Sequence, residues 1–208
     1  MKHLLQVTIL AFLSSTFAMA DVILDVAVNT TPIEGVAGYL AFDFLGGTPV
    51  ANNTATISGF TSDATLGAVT PSGDAAGTIF PGPGTLDDTN FFFNEFLQAV
   101  TYGTKISFTL DLTTSGSAIP DNFALYLLDS TQNPFPTSDP TGANSLFAIN
   151  ITGPGLTPDI YTSSSATVTI TAGGSTAAPE PGSFWLAALA VLALTPLLKR
   201  RLKPTATV

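Results

Sequence analysis

The chain has 208 residues, of which 45% are hydrophobic, no cysteine, and a formal net charge of −9. Between residues 21 and 178, fourteen carboxylates face a single cation, Lys105, a formal charge of −13. That balance excludes a nucleic-acid partner, which needs clustered basic groups against phosphate, and the missing cysteines leave packing alone to hold any fold.

Residues 1–20 have the layout of a secretory signal. Lys2 and His3 give a short positive start, Leu4 to Leu13 an apolar run, and Ala18-Met19-Ala20 a small-residue cleavage site ahead of Asp21. With no cysteine after that site, a lipoprotein-type anchor is excluded. Residues 21–172 then suit one domain with a real core, and are too few for two comfortable ones.

The pattern of that domain is one of strands. Val22 to Val28 and Gly38 to Phe44 alternate, the second placing Leu40, Phe42 and Phe44 on one side. Thr54 to Phe60 is a shorter candidate. Residues 104–112 give the clearest case, with Ile106, Phe108, Leu110 and Leu112 alternating against Lys105, Ser107, Thr109 and Asp111. A period of two with one apolar side predicts a strand with one buried face. Asn122 to Asp129, Ser145 to Thr152 and Ala166 to Thr171 complete the set. Between them stand turn formers such as Gly46-Gly47, Pro71-Ser72-Gly73, Pro81-Gly82-Pro83-Gly84 and Asp139-Pro140. Many short strands without a helical stripe predict an all-β domain, an antiparallel β-sandwich of jelly-roll-like kind. One stretch reads two ways. Asp87-Asp88-Thr89 can cap a short helix through Asn90 to Leu97, or Phe91, Phe93 and Leu97 can point inward from a bulged strand; the aromatic residues favour the strand.

Residues 173–178, Gly-Gly-Ser-Thr-Ala-Ala, have the composition of a flexible tether. The tail that follows has three parts. Pro179-Glu180-Pro181 is a stiff acidic tripeptide, Phe184 to Leu198 an uncharged apolar run, and Lys199, Arg200, Arg201 and Lys203 a basic stop. Fifteen to seventeen helical residues reach ~22–26 Å, at the low edge of a bilayer span. Trp185 suits one interface, and the basic cluster holds the other end in the cytoplasm. The expected spanning helix is therefore 184–198, with the domain exported.

This tail resembles the PEP-CTERM sorting signal of exopolysaccharide-producing Gram-negative bacteria, in which the same three parts occur in the same order. The resemblance covers about the last thirty residues. It implies recognition by a membrane-embedded exosortase and processing at or near Pro179-Glu180-Pro181, followed by passage to the cell envelope or extracellular matrix. Two departures are the extension from Leu202 to Val208 and Pro196 within the apolar run, which removes one helical hydrogen bond. The resemblance implies no activity for the domain.

The chemistry open to residues 21–178 is narrow. They contain neither histidine nor cysteine, so Ser-His-Asp and Cys-His catalysis are excluded in their usual form, and zinc, copper and haem lose their common ligands. No catalytic residue and no cofactor are expected. Carboxylate chemistry survives on residue type, with Glu34, Glu95 and the aspartates as candidates, but no paired-acid motif stands in the sequence. Asp87-Asp88-Thr89-Asn90 and Asp121-Asn122 offer hard oxygens to calcium without the spacing of an EF-hand; turn-forming aspartates account for both. The phenylalanines read as core and the single Trp lies in the tail, so few aromatics remain for sugar platforms. The expectation is an exported surface or matrix protein with a structural or interaction role. A polysaccharide-binding module, and behind it a carboxylate-dependent glycoside hydrolase, are the alternatives.

Overall fold

A computed structural model describes residues 21–48, 53–115, 119–153 and 156–173. The expected signal peptide with Ala18 and Ala20, the tripeptide Pro179-Glu180-Pro181, the spanning segment and the basic cluster lie outside the described residues. Among the described residues no helix is long and apolar enough to cross a membrane.

Among the described residues, twelve strands form two antiparallel sheets. They are β1 (Val22–Asn29), β2 (Ala37–Leu45), β3 (Thr54–Ser62), β4 (Thr65–Ser72), β5 (Ala75–Gly77), β6 (Gly84–Asp87), β7 (Phe93–Thr101), β8 (Lys105–Leu112), β9 (Asp121–Asp129), β10 (Phe147–Ile151), β11 (Asp159–Ile160) and β12 (Thr167–Ala172). The first sheet runs β12-β1-β8-β3-β6-β5 and the second β11-β10-β9-β2-β7-β4. The pairings β1–β8, β2–β7 and β3–β6 are nested, the course of one long hairpin folded over on itself. Strands β9 to β11 then widen the second sheet, and β12 closes beside β1, so that the Gly173 N–H donates to Ile23 O and the two ends of the domain meet.

The alternation seen in the sequence has a direct cause. Leu24, Val26 and Val28 of β1, Ile106, Phe108, Leu110 and Leu112 of β8, and Leu40, Phe42 and Phe44 of β2 are all buried in one core shared by the two sheets. Phe42 of the second sheet meets Phe108 of the first edge to face, with ring centroids 5.3 Å apart. The arrangement is the expected sandwich. Tyr102 pins one end of it. Its buried hydroxyl donates to the Tyr39 and Leu128 carbonyls and accepts from the Leu128 N–H. Gly38 belongs to the same joint, since a Cβ there would strike the Leu128 carbonyl and the Tyr102 ring.

The seven clear strand expectations coincide with β1, β2, β3, β8, β9, β10 and β12. The ambiguous stretch is a strand as favoured, but its phase is the opposite of the one expected. Phe91 and Phe93 are 55% and 41% exposed, whereas Phe96 is fully buried. The inward face of β7 reads Asn94-Phe96-Gln98-Val100, and its two amides disguise the apolar alternation. Each amide is bonded where it is buried: Asn94 Nδ2 donates to Phe44 O and Phe91 O, and Gln98 Nε2 to Gly67 O and Ala99 O. Strands β4, β5, β6 and β11 escape the pattern because they are short or carry Gly and Pro on mostly exposed positions.

The phase of β7 sets an expectation for unfolding in urea. Phe96→Ala is expected to cost about 3–5 kcal/mol, the range for a deleted core aromatic. Phe93→Ala is expected to stay within about 0.5 kcal/mol of the unaltered chain. Equal losses at the two positions would place the strand in the other phase.

Candidate functional site

Two places on the domain gather polar chemistry. The first is the outer face of the second sheet. Register sets Asp43 of β2 directly opposite Glu95 of β7, with Ser72 of β4 opposite Glu95 on its other side. The two carboxyls are in hydrogen-bonding contact. Burial, then the charge and hydrogen bond of Glu95, push Asp43 up to about 7. Burial also raises Glu95. Asp43 Oδ1 is itself buried without a partner among the described residues. Tyr126, nearby on β9, is pushed up to about 12 by burial and by the charge of Asp43. Chemically the pair holds one proton between two carboxyls, because two adjacent like charges cannot both ionise cheaply.

The second place is one end of the sandwich, where the β2–β3 and β6–β7 connections meet. A cleft of about 290 Å³ lies there between Gly46, Gly47 and Thr48 on one side and Asp88 to Phe92 on the other. Behind it is a buried polar clamp. Asp121 Oδ1 accepts from Gly47 N at 2.6 Å, its Oδ2 accepts from Asn53 Nδ2, and Asp88 Oδ1 accepts from Asn53 N at 3.3 Å. The two stretches with calcium-type oxygens in the sequence are thus brought together through Asn53. Asp87 makes the turn expected of it, accepting the Thr89 N–H at 2.9 Å. Among the described residues no group of three Asp, Glu, His or Cys side chains is placed to hold a metal.

The front of the cleft is formed by Phe91, expected to point inward, and by its neighbour Phe92. Phe91 and Phe92 are 55% and 66% exposed. Their loop is nevertheless fixed on every side. Asp74 Oδ2 accepts from the Asn90 and Phe91 main-chain N–H groups, and Asp74 Oδ1 accepts from Asn90 Nδ2 at 3.0 Å. The Asn90 side chain is the largest cause of the lowered pKa of Asp74. From the other side Asn94 Nδ2 donates to Phe91 O at 3.0 Å, while Gly46 N donates to Phe92 O at 2.9 Å. Gly73, next to the brace, has φ +66° and packs against Phe93 O and Asn94 Oδ1, so no side chain fits there.

Asp63, Asp129 and Asp139 are held by donors in the connections around them, whereas Asp111 of β8 is raised by burial. Asp63 accepts from Thr104 Oγ1, Thr104 N and Lys105 N, and Asp129 from Thr131 N, Thr131 Oγ1 and Asn133 N. These donors hold both carboxyls below their ordinary range. At Asp139 burial pushes upward, but the donors of Thr141 and Ser145 together outweigh it. No protein-family model, curated protein or solved structure matches the chain.

The carboxyl pair makes stability depend on pH with a definite sign. A folded-state pKa near 7 against 3.8 for the free side chain means that the folded chain binds the extra proton. Stability is therefore full below about pH 4 for this group and falls as pH rises to about 7, by at most roughly 4 kcal/mol. Asp43→Asn is expected to flatten that fall and to make the protein more stable than the unaltered chain at pH 8. Thermal unfolding at a series of pH values measures it, and identical slopes in the two proteins would show that Asp43 is not raised in the folded chain.

Proposed function

We propose that the chain is an exported, exosortase-sorted surface or matrix protein whose sandwich acts by display and interaction rather than catalysis. The observation that carries this reading is the three-part tail, Pro179-Glu180-Pro181, the apolar run 184–198 and the basic residues Lys199, Arg200, Arg201 and Lys203. Its likeness to the PEP-CTERM signal makes a membrane exosortase the partner. The route is export, retention at the inner membrane by the tail, then processing and passage to the envelope. We read the nested strand pairing as a jelly roll.

The outer face of the first sheet supports the display reading. Thr167, Thr169 and Thr171 of β12, Ser107 and Thr109 of β8, Thr56 and Ser58 of β3 and Thr85 of β6 cover it with hydroxyls. Such a face, with Asp25, Lys105 and Asp111 among the hydroxyls, is wettable. The reading invokes no cofactor. A second reading, a polysaccharide-binding module of the envelope or matrix, is favoured by one observation: the exposed, braced rings of Phe91 and Phe92 beside a polar cleft. Hydrolysis is disfavoured because Asp43 and Glu95 stand directly opposite each other on adjacent strands, with Asp43 Oδ1 buried.

The sorting reading is tested by replacing Pro179, Glu180 and Pro181 with alanine in the native host and fractionating the cells. The unaltered protein is expected outside the inner membrane, starting at Asp21 and ending near the tripeptide by intact mass, with the variant retained at the inner membrane. An unaltered protein that still ends at Val208 in the inner membrane would contradict processing.

A further inference from the structure

We propose that the cleft between the Gly46–Thr48 turn and the Asp88–Phe92 loop binds a neutral polysaccharide, with the apolar face of a pyranose ring laid on Phe91 or Phe92. This rests on the polysaccharide-binding reading and gives it a place and a ligand class. Four observations lead to it. Large apolar side chains exposed together mark interaction sites more often than chance exposure, and here they are consecutive. Their main chain is also braced: Asp74 accepts from the Asn90 and Phe91 N–H groups, and Asn94 and Gly46 donate to the Phe91 and Phe92 carbonyls. A main chain already held in place lowers the entropy lost when a ligand stacks on the rings it carries. A disordered loop with the same residues would lack that property.

The third observation is the mixed character of the cleft. Thr89 and Asn90, both exposed, bring a hydroxyl and, besides the Nδ2 that donates to Asp74, an amide oxygen to the rim, and Gly46 and Gly47 line the other side. A purely apolar partner leaves such groups without hydrogen bonds, at a cost. A sugar ring has an apolar face for the phenylalanine and hydroxyls for the rim. At about 290 Å³ the space is at the small end for ligand sites, ~300–1,000 Å³, and suits a short segment of a chain. The fourth is charge. With fourteen carboxylates against Lys105 in residues 21–178, the domain repels uronate-rich or sulfated polymers and anionic lipid surfaces, which leaves neutral polymers as the class that approaches freely.

The test is affinity electrophoresis of the detergent-purified full chain in native gels containing hydroxyethyl cellulose, soluble β-1,3-glucan, soluble starch or alginate. The protein is expected to be retarded by at least one of the three neutral polymers and not by alginate. The double variant Phe91→Ala/Phe92→Ala is expected to lose about tenfold or more in apparent affinity for that polymer. Both side chains are exposed, so the fold is kept, which the urea midpoint verifies. Phe80→Ala, at an exposed ring outside the cleft, is expected to bind as the unaltered chain does. Retardation by a neutral polymer that survives the double variant would overturn this site and leave the binding reading standing. Retardation by none of the neutral polymers, or by alginate alone, would overturn both. A concentration-dependent dimer on gel filtration that the double variant dissolves, without polymer binding, would assign the rings to self-association and overturn the proposal.

Discussion

Phe42 and Phe108 meet in the space between the two sheets, each on a strand flanked by others on both sides. The rest of the domain depends on that layer. No disulfide crosslinks this chain, since it has no cysteine. Burial of two complementary faces must therefore exceed the conformational entropy of the chain unaided. The nested pairing β1–β8, β2–β7, β3–β6 serves this end, because it places the most regular alternating strands at the centre and relegates the Gly- and Pro-bearing ones to the margins. The buried Tyr102 hydroxyl, with three hydrogen bonds to β2 and β9, closes one end of the same layer.

Charge is handled without cations. Asp63, Asp74, Asp129 and Asp139 find main-chain N–H groups and hydroxyls in tight turns, which stabilise the ionised forms more reliably than exposed ion pairs would. Asp43, like Asp111, is instead raised by burial. It lies on a sheet face opposite Glu95, where no donor turn reaches it, and the only economical solution is to keep a proton. The same acidic chain thus contains carboxyls that strengthen the fold above the carboxylate range and one pair that weakens it there.

The sequence was most legible where one physical requirement governed a whole strand. Residues 105–112 bury every second side chain, and their alternation gave the strand, its face and its buried members. Strand β7 broke the rule because Asn94 and Gln98 sit inside, each satisfied by distant carbonyls that no local pattern reveals. An alternation that turns Phe91 and Phe93 inward is the reverse of the phase these amides and Phe96 adopt. The Asp43–Glu95 pair was invisible for a different reason: the two residues meet only through the β2–β7 register, which is a property of the nested fold. Asp121 and Asp88 were recognised as oxygen-rich, while their convergence on Asn53 depends on the same long-range wrapping. By contrast Asp87 was read correctly from its neighbours alone, since an aspartate bonding the N–H two residues on is a local event.

Position and rigidity together define what this domain offers to its surroundings: a hydroxyl-rich face on one sheet and, at one end, exposed aromatic rings on a main chain that a carboxylate braces. The rigidity of that end is the claim on which the functional account turns. Hydrogen exchange of the Asn90 and Phe91 amides tests it most directly, because both residues are exposed and owe any protection to Asp74. The account predicts exchange slowed well below the rate of an unstructured chain, and restored to that rate by Asp74→Ala while β7 stays protected. Free exchange of both amides in the unaltered protein would contradict it, and would reduce the exposed rings to a loop without a fixed shape.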